Sequence, residues 1–113
     1  MKKIVLNSDS EQFVTEYLED GEPITFKFNY RSNALSWYFS FTYKDIERHN
    51  IKLSAGTNIL KAFQNLIPID LYLKVSEILE EAYLVNSFSL GLAELYLVSH
   101  QERDEIINGT LEF

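Results

Sequence analysis

The chain of 113 residues has no cysteine, and histidine, proline and glycine are scarce. Without cysteine there is no disulfide framework, no thiolate metal site and no cysteine nucleophile. The four glycines lie far apart, which disfavours a glycine-rich loop that cradles a phosphate. The two histidines, His49 and His100, are also far apart, and we interpret both as surface turn residues and not as metal ligands. We therefore expect neither a metal nor another cofactor.

Basic residues are outnumbered, with ten Lys and Arg against 17 Asp and Glu and a net charge of −7. Such a charge disfavours binding to a nucleic acid or to an anionic membrane surface. No apolar run approaches the ~20 residues of a membrane-spanning helix. The first residues carry only three apolar side chains after a basic pair, too few for a signal peptide. We expect a chain that is not secreted and that is found in the cytoplasm of the producing cell.

Aromatic residues, by contrast, are abundant, at 14% of the chain. Two consecutive segments, 24–30 and 35–43, alternate between core-forming and more polar residues, which is typical of strands with one buried face. A polar connection of hairpin length separates them. We therefore predict an antiparallel hairpin whose aromatic rows meet in the core. The inward rows are Ile24, Phe26, Phe28 and Tyr30, followed by Leu35, Trp37, Phe39, Phe41 and Tyr43.

Weaker patterns predict the other strands. Residues 12–18 fit a strand or, alternatively, a helix capped by Ser10, and their β-branched and aromatic content favours the strand. Asp20 and Gly21 then predict a tight turn. Residues 44–50 are expected to form a charged turn. Further strands are expected at 2–6, 49–53, 69–75 and 92–99, with Asp70, Tyr72 and Lys74 on the polar face of the strand at 69–75.

Helical signals are short. Apolar residues spaced by three and four at 59–67 predict about two helical turns, capped by Thr57 or Asn58 and ended by Pro68. Residues 76–85 fit a helix less clearly. Ser99 and Glu102 have the spacing of a capping box, in which each side chain binds the free N–H of the other residue. This pair predicts a short helix directly after the last strand.

The sum of these elements is a mainly β fold. Short connections favour antiparallel pairing, so we predict a small antiparallel barrel or sandwich with one or two short helices. The residue pattern leaves both architectures open. The length fits one β-rich domain, residues 1–113, in which residues 106–113 form a loose tail.

Acidic residues offer no clear catalytic arrangement. Glu19, Asp20 and Glu22 cluster around one turn, whereas a glycosidase needs two carboxyls in different environments across a cleft. We interpret the cluster as a solvated surface. A small hydrolase that uses these acids is the least favoured hypothesis, and we expect that the protein is not an enzyme.

The polar row of the hairpin indicates a protein-contact face. One lysine in this row does not make an electrostatic groove for nucleic acid, whereas a neutral, weakly aromatic surface suits contact with another protein. We predict Tyr38, Tyr72 and Tyr96, on three different strands, as partner contacts. The polar row consists of Thr25, Lys27, Asn29, Ser36, Tyr38, Ser40 and Thr42.

The segment from Phe28 to Phe39 resembles the small baseplate plug proteins of contractile-tailed bacteriophages, the cyanophage-type group. Members of that family carry an aromatic-Asn-aromatic-Arg-like run, a short turn and a Trp-Tyr strand. Their Gly-x-Asn-Leu-Leu-like segment with a following aromatic is matched by residues 56–60 and Phe63, and their last strand by residues 95–102. The likeness spans roughly residues 1 to 105, and the chain departs from it in the Leu- and Glu-rich path after Pro68.

This resemblance implies a structural virion component and not an enzyme. A plug of this family packs in the central baseplate near the hub and spike, where the tail lumen ends. The implied partners are hub, spike and neighbouring plug copies in an oligomeric ring assembly. The implied location is the virion tail baseplate, assembled in the host cytoplasm. The alternative hypothesis is a small acidic protein-binding module, of an anti-defence or regulatory type, that acts on a basic host protein.

Overall fold

The structure is a computed structural model that describes residues 2–55, 59–75, 85 and 87–109. Within these residues two antiparallel sheets form a sandwich-like fold, which confirms the predicted mainly β class; a closed barrel is not formed. The strands are β1 (Lys2–Ile4), β2 (Glu11–Tyr17), β3 (Pro23–Arg31), β4 (Ser36–Tyr43), β5 (Ile46–Lys52), β6 (Ile69–Val75) and β7 (Ala93–Ser99). A 3₁₀ helix covers Lys61–Phe63, and α1 covers His100–Ile107.

The two sheets differ in how their strands follow one another along the chain. Strands β2, β3, β4 and β5 pair in chain order in a four-stranded sheet, joined by short turns. The second sheet has the order β1-β7-β6, so the first strand pairs with the last one. Side chains from both sheets fill a single core between them. The fold is therefore closed by contacts between the two ends of the described chain.

The predicted hairpin of β3 and β4 is confirmed, with its aromatic rows on the core side. Phe26 pairs with Phe41, and Phe28 pairs with Phe39. All four rings are at most 1% exposed. The ring centres of Phe26, Phe28 and Phe39 lie 5.7–6.0 Å from one another, a spacing at which aromatic rings attract each other beyond their area of contact.

Strand β2 confirms the strand interpretation of residues 12–18 over the helical one. Its partner is β3, and the pairing runs from Glu11 opposite Asn29 to Tyr17 opposite Pro23. The turn between them holds Gly21 at φ +83°, a left-handed conformation that costs glycine little. The turn predicted from Asp20 and Gly21 is therefore confirmed. This turn sets the register of β2 against β3 and so decides which β2 residues face the core.

Two boundaries around β4 differ from the prediction. Leu35 was expected in the core row, but it lies in the turn before β4 with φ +48° and is exposed. Residues 44–50 were expected to form a charged turn, whereas β5 begins at Ile46. Lys44 takes φ +54°, which turns the chain within two residues, and Ile46 pairs directly with Tyr43. Charged side chains at a sheet edge can be solvated in a strand as well as in a turn.

An irregularity in β5 explains why the alternation of its apolar residues does not predict a strand over its full length. Ile46 and Ile51 are five residues apart, so a regular strand would place them on opposite faces. The pairing of β4 with β5 shifts register between Phe39 and Phe41, and Asn50 takes φ +58°. This β-bulge brings both isoleucines against the core.

The predicted helix at 59–67 is mostly replaced by a single 3₁₀ turn. The backbone N–H of Ile59 donates to the carbonyl of Leu71, and the N–H of Leu60 donates to the buried carboxylate of Asp70. These bonds fasten the segment to β6 in place of an α-helical ladder. The proposed caps, Thr57 and Asn58, lie outside the described residues, as does the expected helix at 76–84.

Strand β6 is present as predicted, but its second face is not polar surface. Asp70 is 1% exposed and Tyr72 is 6% exposed. Both lie on the face opposite the shared core, where α1 contacts β6 and β7. The prediction of a wet face was wrong at these two positions, because the chain after β7 folds back over this end of the sheet.

Helix α1 begins at the predicted capping box. The N–H of Glu102 donates to Ser99 Oγ, and the N–H of Ser99 donates to Glu102 Oε1, both at 3.1 Å. Arg103 Nη1 donates to Gln64 Oε1 at 3.2 Å, which ties the helix to the 3₁₀ segment. The helix continues to Ile107, so residues 106 and 107, expected in the loose tail, are helical.

The first prediction concerns Trp37, which is fully buried between the rings of Tyr30 and Phe88. Replacing it with alanine leaves a large cavity, and we expect Trp37→Ala to reduce the free energy of unfolding by about 3–5 kcal/mol. Urea denaturation gives this value. Tyr38→Ala, on the other face of the same strand, is the control with a much smaller expected loss. Equal losses in both variants would refute the register of β4.

The second prediction concerns the buried carboxyl of Asp70. Burial raises its pKa above the usual range, against the two backbone N–H donors and the positive charges of Arg103 and His100, which lower it. A group whose pKa rises on folding costs stability as the pH increases through that pKa. We expect Asp70→Asn, which keeps the acceptor Oδ1, to gain stability relative to the wild type as the pH rises from acid to neutral, because the buried wild-type carboxyl resists ionisation and the amide does not ionise.

Thermal unfolding across this pH range tests the prediction. Asp45→Asn makes the same chemical change at an exposed carboxyl in the turn between β4 and β5, on the other sheet, and serves as the matched control. Its stability should follow that of the wild type across the range. If the difference in thermal midpoint between Asp70→Asn and the wild type stayed constant with pH, burial would not raise the pKa of the Asp70 carboxyl.

Candidate functional site

The face of the four-stranded sheet that points away from the core, here called the outer face, is the candidate functional site. Strands β2 to β5 all contribute to it, because every second residue of each strand points to the same side. The face is concave and forms a hollow of about 350 Å³. Its lining residues are Phe13, Thr25, Lys27, Asn29, Arg31, Tyr38, Phe39, Ser40, Thr42, Glu47, His49 and Asn50.

Two cation–aromatic pairs organise this face. The guanidinium of Arg31 lies 4.0 Å from the ring centre of Tyr38, and Lys27 Nζ lies 5.7 Å from the ring centre of Phe13. Arg31 Nη2 also donates to Asn50 Oδ1 at 2.6 Å. The Arg31 guanidinium thus stacks on the Tyr38 ring of β4 and is hydrogen-bonded to Asn50 of β5. These contacts form a cation–aromatic platform that links β3, β4 and β5.

The charges of the outer face largely balance. Two cations, Lys27 and Arg31, are matched by two carboxylates, Glu11 and Glu47. Lys27 Nζ lies 3.5 Å from Glu11 Oε1, a solvent-accessible pair that adds little to stability, and His49 Nε2 lies 3.1 Å from Glu47 Oε1. The expected neutral, polar and weakly aromatic face is therefore present, with one exception. Ser36 was expected on it but is buried, and its hydroxyl donates to the carbonyl of Ala34.

The three tyrosines predicted as partner contacts lie in different settings. Tyr38 is half-buried on the outer face, near the turn between β3 and β4. Tyr96 is half-buried on β7, and its hydroxyl donates to the Glu94 carboxylate, which raises the tyrosine pKa. Tyr72 lies near α1 and offers a partner little surface. The structure does not bring the three side chains together on one surface.

Two exposed aromatics at the margin of the outer face are more accessible than any of these tyrosines. Phe13 is 66% exposed and Tyr17 is 76% exposed, both on β2. Alternation along β2 places Phe13 and Tyr17 on the same side of the strand, but it does not tell whether that side is buried or exposed. The register of β2 against β3 decides the matter, because it turns Val14 to the core and Phe13 to solvent.

The acidic turn before β3 has a structural role. Asp20 Oδ1 accepts from the N–H of Glu22 at 2.9 Å, and Asp20 Oδ2 accepts from the Tyr43 hydroxyl at 2.5 Å. These bonds lower the pKa of Asp20, with the Tyr43 hydroxyl as the main cause. A carboxyl with a lowered pKa stays ionised at neutral pH, which does not suit a general acid.

The two histidines differ from the expected surface turn residues. His49 is exposed but lies within β5, and His100 begins α1, half-buried. The Nε2 atom of His100 is buried and has no hydrogen-bond partner among the residues that the structure describes. Across the described ranges, no group of three or more His, Cys, Asp or Glu side chains is arranged to hold a metal ion. None of the helices described is long and apolar enough to cross a membrane.

Two comparisons of the sequence with known proteins found no match. No protein-family model matches the chain, and no curated protein matches its sequence. The site is therefore defined by its own geometry: a concave, charge-balanced sheet face with a cation–aromatic platform beside the turn between β3 and β4 and two exposed aromatics on β2.

Proposed function

We propose that this protein is a structural component of a contractile phage tail baseplate, a plug that packs near the hub and spike at the end of the tail lumen. The observation that carries the proposal is the outer face, an open sheet surface that carries Tyr38 and Arg31 beside the turn between β3 and β4. Aromatic and arginine side chains dominate the binding energy of protein interfaces. The function follows from contact with neighbouring proteins and not from catalysis.

The residues that carry the family resemblance occupy this region of the fold. The segment from Phe28 to Phe39 forms the end of β3, the turn and the start of β4. Its alternate members supply the core rings and the outer face, so one hairpin accounts for both stability and the proposed contact. This double use supports a structural protein whose surface and core derive from the same aromatic segment.

The charge of the molecule is compatible with this role. A chain with net charge −7 is repelled by nucleic acid, which agrees with a plug whose partners are proteins. The outer face is the charge-balanced part of an acidic molecule, so neighbouring proteins meet it with little electrostatic cost. We propose the tail baseplate of the virion as its location.

The third prediction tests the contact directly. Co-expression with the hub and spike proteins encoded by the same genome should give a stable complex in size-exclusion chromatography. We expect Tyr38→Ala to weaken this complex at least about tenfold, equivalent to about 1.4 kcal/mol, because it removes an interface ring. Leu66→Ala, which truncates an exposed apolar side chain outside the outer face, is the matched control and should bind like the wild type.

Three results would speak against the plug. These are no complex with hub or spike, a complex insensitive to Tyr38→Ala, or a gene that lies outside a cluster of tail genes. Retention of a basic host protein in the absence of every tail protein would instead favour the alternative, a small acidic module that binds a host protein.

A further inference from the structure

The two sheets have four edges, and three of them are short, covered or distorted. Strand β1 has only three residues. Strand β6 is covered by the segment before the 3₁₀ helix, through the bond from the N–H of Ile59 to the carbonyl of Leu71 and the bridge between Ala55 and Leu73. Strand β5 carries the bulge at Asn50. Such devices protect sheet edges from pairing with other chains.

Strand β2 has none of these protections. Among the strands that the structure describes, it pairs with β3 alone, over seven residues in regular register, and no proline, lysine or bulge interrupts it. Two backbone bonds fix which residues face β3: the N–H of Tyr30 donates to the carbonyl of Ser10, and the N–H of Leu18 donates to the carbonyl of Glu22. Between these positions the even-numbered residues of β2 bond to β3.

The odd-numbered residues of β2 therefore direct their N–H and C=O groups away from the sheet. We call the backbone of Glu11, Phe13, Thr15 and Tyr17 the free edge. In the part of the chain that the structure describes, no hydrogen bond reaches these backbone groups. A row of unpaired donors and acceptors of this length is a template for an added strand.

We propose that the free edge binds the free edge of a second copy of this chain, with the two β2 strands antiparallel about a two-fold axis at Val14. Two four-stranded sheets then join into one continuous sheet of eight strands. Glu11 pairs with Tyr17 of the second copy, and Phe13 pairs with Thr15 of the second copy. A two-fold contact of this kind is closed, so the assembly stops at a dimer.

The backbone favours this register over its neighbours. With the axis at Val14, all four residues of the free edge find hydrogen-bonding partners on the second copy. An axis at Phe13 leaves Tyr17 without a strand residue opposite it, and an axis at Thr15 does the same to Glu11, because β2 spans only Glu11–Tyr17. The central register thus satisfies the largest number of unpaired backbone groups.

The side chains of β2 are self-complementary in the same register. Phe13, 66% exposed in the single chain, lies diagonally across the axis from Phe13 of the second copy, within reach of an aromatic contact. Glu11 faces a tyrosine, and Glu16 faces Gln12, so no two carboxylates lie directly opposite each other. Glu16 is already paired with Lys2 of its own chain at 2.5 Å. This complementarity is the reason for choosing a second copy over a foreign strand.

The net charge sets the salt dependence of the contact. Each chain carries −7, so two copies repel each other at long range, while the contact itself contains no facing like charges. Added salt screens the long-range repulsion. We therefore expect dimerisation to strengthen as the salt concentration rises, the opposite of an interface held by ion pairs.

The fourth prediction is tested on the full chain by sedimentation and by residue-resolved amide exchange over a wide concentration range. At high concentration the mass should approach twice the 13.2 kDa of one chain. The amides of Phe13 and Thr15 should exchange more slowly as the dimer forms. The amides of Gln12 and Val14 already bond to β3, so they should change much less.

Paired variants separate the edge from a general effect of charge. Phe13→Lys removes the ring contact and places two lysines diagonally across the axis, and we expect it to weaken dimerisation at least about tenfold. Leu35→Lys adds the same charge at an exposed apolar residue in the turn between β3 and β4, and it should dimerise like the wild type. Unchanged thermal midpoints show that both variants fold.

A monomer at every concentration and salt level would overturn the proposal. Slowed exchange on β5 in place of β2 would also overturn it, because the contact would then lie on the other edge of the sheet. Particles larger than a dimer would overturn it as well, because they indicate head-to-tail pairing of β2 with β5. The inference does not depend on the baseplate role. The complex with hub and spike is read out through Tyr38, whereas dimerisation is read out through Phe13, so either can fail alone.

Discussion

The contact between the aromatic rows of β3 and β4 is the interaction on which the rest of the structure depends. Phe26 and Phe28 meet Phe41 and Phe39 across the hairpin, and these four rings fill the centre of the core. The contact extends outward from there. Trp37 packs edge-on against Phe88, and Phe41 packs edge-on against Phe63, so segments that precede and follow β6 are held by the same rows. Burial of rings of this size supplies much of the stabilisation available to a small domain.

Once the aromatic rows face inward, the alternation of a strand determines the other side of the sheet. The residues between the core rings must point outward, and they form the outer face, which carries the stacked pair of Tyr38 and Arg31. The second sheet has no comparable open face near Asp70 and Tyr72, because α1 packs there. The uncovered surface and the free edge of β2 therefore belong to the same four-stranded sheet, and both suit contact between proteins.

The sequence predicts the parts of the fold that local chemistry decides. The hairpin follows from strict alternation, the turn at Gly21 from an Asp-Gly pair, and the start of α1 from Ser99 and Glu102. Distant contacts decide the rest. Asp70 appears polar in sequence but is buried, because Leu60 and α1 approach it from elsewhere in the chain. The bulge at Asn50 brings Ile46 and Ile51 to the same side of β5, which their spacing of five residues does not predict. For the candidate site, Tyr38 is predictable from alternation, whereas the exposure of Phe13 depends on the register of β2.

The central claim is that this protein acts through the open surface of its four-stranded sheet. The most direct measurement is a cryo-electron microscopy map of a tail baseplate that contains the chain. We expect a neighbouring protein to lie against the outer face, with Tyr38 and Arg31 buried in the contact. A map in which the outer face stays open to solvent, or in which the chain is absent from the baseplate, would contradict the claim.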